Sequence, residues 1–126
     1  MDVLVVEDEA QLGDIMARNL RARGHAARVA ATAQEAIAEI EQAQPDVLLL
    51  DVNLPDMTGW DVLRQLDTAR RQQIKVIVVS AGPISQKRIE EFRPERHLEK
   101  PFPIDALVRM LSELEPGARG VETGGE

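Results

Sequence analysis

Short apolar runs alternate along this chain with segments in which apolar residues have helical spacing. The runs are rich in Val, Leu and Ile, which is typical of strands. They cover 2–6, 25–31, 47–50, 74–79 and 96–98. Between them, apolar residues recur three or four positions apart, which is typical of helices that bury one face. These segments cover 10–23, 33–43, 60–66, 84–92 and 104–114. The pattern predicts five strands, each followed by a helix.

The alternation also predicts how the strands pair. A strand–helix–strand repeat requires parallel pairing with right-handed crossovers, so the helices cover both faces of one sheet. The first, third and fourth runs are the most apolar, which indicates central strands, whereas the weaker second and fifth runs indicate edges. We therefore expect an α/β three-layer sandwich, a flavodoxin-like (βα)5 fold with parallel sheet order 2-1-3-4-5.

Polar residues that carry chemistry follow four of the five predicted strands. Glu7 and Asp8 follow the first strand, Asp51 the third and Ser80 the fourth, and Lys100 comes shortly after the fifth. Taken singly, each has an ordinary interpretation as a turn residue, a helix cap or a solvated surface lysine. The predicted strand order, however, brings them to one edge of the sheet. Crowded carboxylates there favour a divalent cation such as Mg²⁺. A lysine and a hydroxyl opposite them suit a phosphoryl group.

Composition limits the class of protein. The 126 residues contain 44% hydrophobic and 29% charged residues, which fits one globular domain. The net charge of −7 argues against nucleic-acid or anionic-membrane binding. There is no cysteine, and no apolar run approaches the length of a membrane-spanning helix. We expect a cytoplasmic domain over 1–115 with no signal peptide, followed by a Gly-rich polar tail over 116–126 that is disordered.

Four stretches together resemble the response-regulator receiver domain of bacterial two-component signalling. Each stretch alone is weak, but all four occur in order and at suitable spacing, and the resemblance covers about residues 1–115. They are Val3-Leu4-Val5-Val6-Glu7-Asp8-Glu9, Leu48-Leu49-Leu50-Asp51-Val52-Asn53-Leu54-Pro55-Asp56-Met57-Thr58-Gly59, Val78-Val79-Ser80-Ala81 and Leu98-Glu99-Lys100-Pro101-Phe102.

The resemblance implies roles around the phosphoryl group. Asp51 would accept the phosphoryl group from a phosphohistidine, and Ser80 would act as the switch hydroxyl that binds it. Lys100 would pair with the phosphoryl group, or with Asp51 when it is absent. The Lys100–Pro101 peptide bond is expected to be cis.

The resemblance also implies a magnesium site. Asp8, with Glu7 directly or through water, would hold Mg²⁺ together with Asp51 and the main-chain carbonyl of Asn53. Glu7 stands where the family more usually has Asp. Acidic residues at this point would also favour the N-terminus of the first helix, which is compatible with metal binding.

The expected biology is that of a receiver domain, either a stand-alone receiver of the chemotaxis type or one cut from a longer chain. Its partners would be a sensor histidine kinase or phosphotransfer protein, and a downstream protein target or relay partner. Phosphorylation would change partner binding on the face formed by the fourth helix, the fifth strand and the fifth helix. We expect no nucleic acid or membrane partner, a monomer or weak dimer, and no enzymatic activity beyond self-catalysed phosphotransfer and autodephosphorylation.

Two departures from the family pattern concern the output. His97 occupies a position that usually holds an inward-swinging aromatic, so His97 is either an altered switch or a surface residue. The interval from Ser80 to Lys100 is short, and Arg93-Pro94-Glu95 replaces the usual small residues before the fifth strand. Pro83 and Pro94 bracket the fourth predicted helix, which we therefore expect to be short or displaced.

Three other functions compete with this interpretation. A haloacid-dehalogenase-like phosphatase would need a second acid at Asn53, and a small flavodoxin-like cofactor binder would need a Gly- and Ser-rich loop after the first strand, where this chain is acidic. The remaining alternative is a degenerate receiver that acts as a phosphorylation-independent interaction module. Such a receiver typically lacks an acid or the lysine, and this chain retains them.

Overall fold

The computed structural model of the protein describes residues 1–116. Its strands are β1 (Asp2–Val6), β2 (Ala26–Ala30), β3 (Val47–Asp51), β4 (Lys75–Ser80) and β5 (Arg96–Glu99). Its helices are α1 (Ala10–Ala22), α2 (Ala33–Gln42), α3 (Gly59–Arg64), α4 (Thr68–Gln73), α5 (Gln86–Phe92) and α6 (Ile104–Leu114). None of these helices is long and apolar enough to cross a membrane.

The strands form one parallel sheet in the order β2-β1-β3-β4-β5, so the predicted topology is confirmed. Every residue of β3 is buried, because β3 lies at the centre of the sheet with helices on both faces. The order follows from apolar content: the two runs with the fewest large apolar residues occupy the edges, where one side of the strand has no partner.

Successive residues of the central strands point alternately to the two faces of the sheet and form two apolar layers, one on each face. The first layer packs against α1 and α6, and its residues from the central strands are Val3, Val5, Val47, Leu49, Ile77 and Val79. The second packs against α2 and α3, and its residues from the central strands are Leu4, Val6, Leu48, Leu50, Val76 and Val78. The core is therefore almost entirely aliphatic, with Trp60 as its one buried aromatic ring among the described residues.

The structure corrects the predicted elements in the second half of the chain. It contains a helix, α4, that the apolar pattern did not predict, because no residue of α4 is buried. Asp67 starts this helix by accepting a hydrogen bond from the Arg70 amide at 2.8 Å. The fourth predicted helix is therefore α5, and the fifth is α6.

Helix α5 has only seven residues, so the prediction that it would be short is confirmed. Its first turn is capped by the Ser85 hydroxyl, which accepts a hydrogen bond from the Arg88 amide. Three strands also end one residue later than predicted, at Asp51, Ser80 and Glu99. The predicted disordered tail over 116–126 lies, apart from Pro116, outside the described residues.

Candidate functional site at the carboxyl ends of the strands

Three polar residues are buried where the central strands end. Glu7 directly follows β1, and Asp51 and Ser80 are the last residues of β3 and β4. Their exposed fractions are 1%, 3% and 7%. Burial of polar groups at such a point is costly unless they are paired, so their partners indicate what the site can do.

Asp51 is held at both carboxylate oxygens. The Lys100 ammonium lies 2.8 Å from Oδ2, and the Asn53 amide donates a hydrogen bond to Oδ1 at 2.9 Å. The Asn53 contact comes from the turn after β3, which folds back over the strand end. The carboxylate is therefore fixed in one orientation at the rim of the sheet.

Lys100 connects the two buried acids. Its Nζ lies 2.8 Å from Asp51 Oδ2 and 3.0 Å from Glu7 Oε1. Its amide donates to the Ser80 carbonyl at 2.7 Å, which ties the segment after β5 to the end of β4. The Lys100–Pro101 peptide bond is cis, so that prediction is confirmed. Burial lowers the pKa of Lys100, but its hydrogen bonds to Asp51 and Glu7 outweigh burial and raise that pKa overall.

Glu7 is the most deeply buried acid of the described chain and is incompletely satisfied. Burial raises its pKa, and the hydrogen bond from Lys100 only partly offsets that rise. Oε2 accepts a hydrogen bond from the Glu9 amide at 3.1 Å and one from Lys100 at 3.2 Å. Oε1 is buried without a hydrogen-bond partner, because its close approach to Lys100 lacks hydrogen-bond geometry.

Glu7, Asp8 and Asp51 form an acidic cluster with one carboxylate oxygen from each residue within 4.8 Å of the others. Asp8 is exposed, so the cluster opens to solvent on that side. The cluster lines an open cavity of about 300 Å³, the acidic cavity, whose walls are Glu7, Asp8, Glu9, Asp51, Asn53, Ala81 and Lys100. Five of the residues predicted from the sequence are therefore brought together here.

Ser80 and His97 lie outside the acidic cavity. The Ser80 hydroxyl donates to the Gly82 carbonyl. It lines an adjoining cavity of about 270 Å³, the Ser80 cavity, which shares Asn53 and Ala81 with the acidic cavity. His97 lies in β5 opposite Val78, and its side chain is exposed. It is not among the described residues that line either cavity.

Sequence reasoning missed two residues that shape the site. A Cβ atom on Gly59 would lie 2.4 Å from the Asp51 carbonyl oxygen, so only glycine lets α3 approach the end of β3 this closely. Trp60 is 5% exposed and also lines the Ser80 cavity. Gly59 directly precedes the helix predicted over 60–66, where most side chains would be tolerated, so its sequence position did not indicate that glycine is required.

Comparison with known proteins finds a matching family model and relatives of similar sequence. The family model of the response regulator receiver domain matches residues 3–112. The sensory transduction protein RegX3 of Mycolicibacterium smegmatis is 35% identical over 98% of this chain and 55% of its own length. The probable transcriptional regulatory protein TcrX of Mycobacterium tuberculosis is 34% identical over 98% of this chain and 54% of its own length. The chain thus spans about half the length of these curated relatives.

Solved structures show the same architecture. The receiver domain of the Francisella response regulator 1452 superposes with a TM-score of 0.79 at 27% identity, covering 90% of this chain and 94% of that one. The chemotaxis response regulator CheY4 of Vibrio cholerae superposes with a TM-score of 0.83 at 23% identity, covering 90% and 98%. At 23% identity, the similarity to CheY4 concerns the fold alone.

Proposed function

This chain belongs to the response regulator receiver domain family, and from that premise we propose that it accepts a phosphoryl group on Asp51 in a Mg²⁺-dependent reaction. The observation that carries the proposal is the setting of Asp51. Its carboxylate is 3% exposed and lies between a lysine ammonium at 2.8 Å and an acidic pair that opens to solvent. A carboxylate fixed at an open cavity rim is a suitable nucleophile for an incoming phosphorus atom.

The residues present fit a divalent cation. Hard cations prefer carboxylate and carbonyl oxygens, and Mg²⁺ keeps several waters, which suits a cluster open on one side. The buried Glu7 Oε1, which lies 3.0 Å from Lys100 Nζ but has no hydrogen-bond partner, is a further carboxylate oxygen that could bind a cation. Asp8 and Asp51 would hold the ion, with Glu7 directly or through water and with the Asn53 carbonyl. When bound, Mg²⁺ would offset the negative charge of the acids and of the phosphoryl oxygens.

The chain's own groups account for the rest of the transfer. An Asp51 oxygen forms the new bond to phosphorus as the bond from phosphorus to the donor imidazole nitrogen breaks, and the imidazole leaves with its electron pair. Lys100 neutralises charge that collects on the phosphoryl oxygens. The Ser80 hydroxyl, which now donates to Gly82, would turn to donate to a phosphoryl oxygen. Hydrolysis of the acyl phosphate by water would return Asp51 to its starting state, so the activity is self-catalysed.

The proposed phosphodonor is a sensor histidine kinase or a phosphotransfer protein. The consequence would be altered binding of a downstream protein target or relay partner on the face formed by α5, β5 and α6. The named relatives of similar sequence are transduction and transcriptional regulatory proteins about twice as long as this chain. For a whole protein that contains this domain, we therefore propose only that phosphorylation of the domain regulates its activity.

The test is incubation with Mg²⁺ and acetyl phosphate, followed by intact mass measurement under conditions that preserve acyl phosphates. We expect the mass of one phosphoryl group to be added, and EDTA to prevent the addition. Asp51→Asn should abolish the addition, because an amide is not a nucleophile for phosphorus.

Asp56→Asn is the matched control, because Asp56 lies in the same turn. Its carboxylate accepts hydrogen bonds from the Ala33 and Gln34 amides at 2.9 and 3.0 Å rather than lining the acidic cavity. Asp56→Asn should keep the added mass. No added mass in the wild-type chain would contradict the proposal and favour a phosphorylation-independent interaction module.

A further inference from the structure

A further polar cavity lies between the end of α1 and one side of α6. Its volume is about 400 Å³, and it shares no lining residue with the acidic cavity or the Ser80 cavity. Two of its lining residues, Arg23 and His25, belong to the turn between α1 and β2. Its other polar residues come from α6 and the residue after it, and they are Asp105, Arg109, Ser112 and Glu115. We call this space the His25 cavity.

The charged side chains of the His25 cavity are not paired with one another. Arg109 follows Asp105 by four residues on α6, a spacing at which helical ion pairs commonly form. Yet none of the ion pairs within residues 1–116 involves Arg23, Asp105, Arg109 or Glu115. Arginines elsewhere, such as Arg18 on α1, do pair with acids. The two cavity arginines are therefore available to an anion from outside the chain.

His25 directs a hydrogen-bond donor into the cavity. Its side chain lines the cavity although the residue is only 8% exposed. Nδ1 lies 3.1 Å from the Met1 nitrogen, which carries hydrogens and donates to it, so the ring proton is on Nε2. Nε2 has no hydrogen-bond partner among the described residues, and it is not one of the fully buried atoms that lack a partner. It therefore reaches the cavity as an unpaired donor.

The protonation state of His25 agrees with this role. Burial lowers the pKa of His25, the Met1 ammonium lowers it further, and Glu115 opposes both effects. The ring is therefore neutral at neutral pH and offers one N–H. The charge that attracts an anion comes from Arg23 and Arg109, and His25 adds a directed hydrogen bond.

The polar groups point to one chemical class of ligand. The two guanidinium groups, the His25 ring and the Ser112 hydroxyl can together donate to the oxygens of a phosphate or a carboxylate. Asp105 and Glu115 stand about 15 Å apart along α6, at the two ends of the lining. These acids repel further negative charge and accept hydrogen bonds from hydroxyl groups. A polyanion is thus disfavoured, and a small anion that carries hydroxyl groups is favoured.

We propose that the His25 cavity binds a small hydroxylated anion, either a phosphate monoester or a carboxylate, whose charged group lies between Arg23 and Arg109. His25 Nε2 and the Ser112 hydroxyl donate to the same group, and the hydroxyls of the ligand donate to Asp105 or Glu115. This site is separate from the proposed chemistry at Asp51, because none of its residues lines the acidic cavity.

The first experiment follows the histidine rings by NMR, because the chain has only two histidines. Glycerol 1-phosphate, glycerate and glycerol are titrated separately in EDTA at constant ionic strength. We expect saturable shifts of the His25 ring with at least one of the two anions, with a Kd of about 1 mM, and no shift with glycerol. His97, exposed on β5, is the internal control. No saturable His25 shift with either anion, up to about fifty times that concentration, overturns the proposal.

The second experiment repeats the titration with arginine variants. Arg23→Gln and Arg109→Gln each remove one guanidinium group and should weaken binding about tenfold. Arg18→Gln is the matched control, because Arg18 is an exposed arginine of α1 that pairs with Asp14 and does not line the cavity. It should bind as the wild type does. Equal weakening by Arg18→Gln and Arg23→Gln overturns the proposal, since general positive charge would then explain the binding.

The third experiment locates the ligand and tests its hydroxyl groups. Backbone amide shifts should concentrate in 22–25 and 105–115. Shifts confined to 7–9, 51–53 and 80–82 would place the anion near Asp51 and overturn the proposal. Methyl phosphate, which lacks the glycerol hydroxyls, should bind about fivefold more weakly than glycerol 1-phosphate. Equal binding of the two overturns the assignment of a hydroxylated ligand, and tighter binding of glycerate than of glycerol 1-phosphate identifies the ligand as a carboxylate.

Discussion

Gly59 controls the position of Asp51 through backbone contact. In Gly59→Ala, the new methyl group would start 2.4 Å from the Asp51 carbonyl oxygen, so α3 or the end of β3 must shift. Overpacking of this kind typically costs about 1–3 kcal/mol. Because displacement of a reacting group reduces rates steeply, we expect phosphorylation by acetyl phosphate to slow by about tenfold or more. Urea denaturation and time-resolved intact mass measure the two effects.

Gly82→Ala is the matched control for this substitution. A Cβ atom on Gly82 would meet no other atom within 4 Å, and its φ does not require glycine. Its urea midpoint should stay near that of the wild type. If Gly59→Ala had the same midpoint and rate as Gly82→Ala, the close approach of α3 to β3 would be irrelevant to Asp51.

Glu7 is expected to oppose folding at neutral pH. Burial raises its pKa above the ordinary value of 4.5, so folding disfavours the ionised form. This cost is fully present above the folded pKa and disappears as the pH falls through that pKa towards 4.5. Glu7→Gln should therefore have a urea midpoint at pH 7.5 equal to or above that of the wild type, with the advantage shrinking by pH 5. Its Mg²⁺ affinity should fall by about tenfold or more.

Glu9→Gln serves as the control for Glu7→Gln, because Glu9 is exposed. Its midpoint should follow the wild type at both pH values. A Glu7→Gln midpoint clearly below that of the wild type at pH 7.5 would mean that the Lys100–Glu7 ion pair outweighs the cost of burial.

At the scale of elements, α4 holds the C-terminal end of α5 through Arg71, whose guanidinium donates to the carbonyls of Ile74, Phe92 and Arg93. Arg71→Lys keeps the charge but cannot reach three carbonyls at once, because lysine lacks the guanidinium fork. Loss of charge-assisted hydrogen bonds of this kind costs about 1–3 kcal/mol. We expect a lower urea midpoint and faster hydrogen exchange over 89–93. Arg70→Lys, one residue earlier in α4, should leave both unchanged, and equal effects of the two substitutions would contradict the anchoring role.

The same element shows where sequence reasoning stops. Helix α4 was missed because none of its residues is buried, so it leaves no apolar period to detect. The rings of Trp60 on α3 and Phe92 on α5 stack with centroids 4.9 Å apart. The sequence did not predict this stack, because the two helices are far apart along the chain. A tryptophan or a phenylalanine in the sequence does not show which ring it will stack on. The pairing follows only from the packing of α3 against α5.

At the scale of the whole molecule, the fold and the meeting of the acids could be predicted. Parallel strands end at one edge, so an apolar run that ends in Asp51 and another that precedes Glu7 specify adjacent carboxylates once the strand order is known. The orientation of side chains could not be predicted in the same way. Ser80 faces a second cavity and His97 faces solvent because of the local path of the chain, which apolar spacing does not encode.

Mg²⁺ should stabilise the whole domain, because the acidic cluster combines residues that follow β1 with the end of β3 and exists only when the chain is folded. At a concentration ten times its Kd, the ion should raise the free energy of unfolding by about 1.4 kcal/mol, by mass action alone. Urea denaturation with and without MgCl2, at ionic strength matched by NaCl, measures this gain. Asp8→Asn should remove most of it. Asp14→Asn, which alters an exposed acid paired with Arg18 on α1, should retain it. An equal gain in both variants would mean that Mg²⁺ acts through general screening rather than at the cluster.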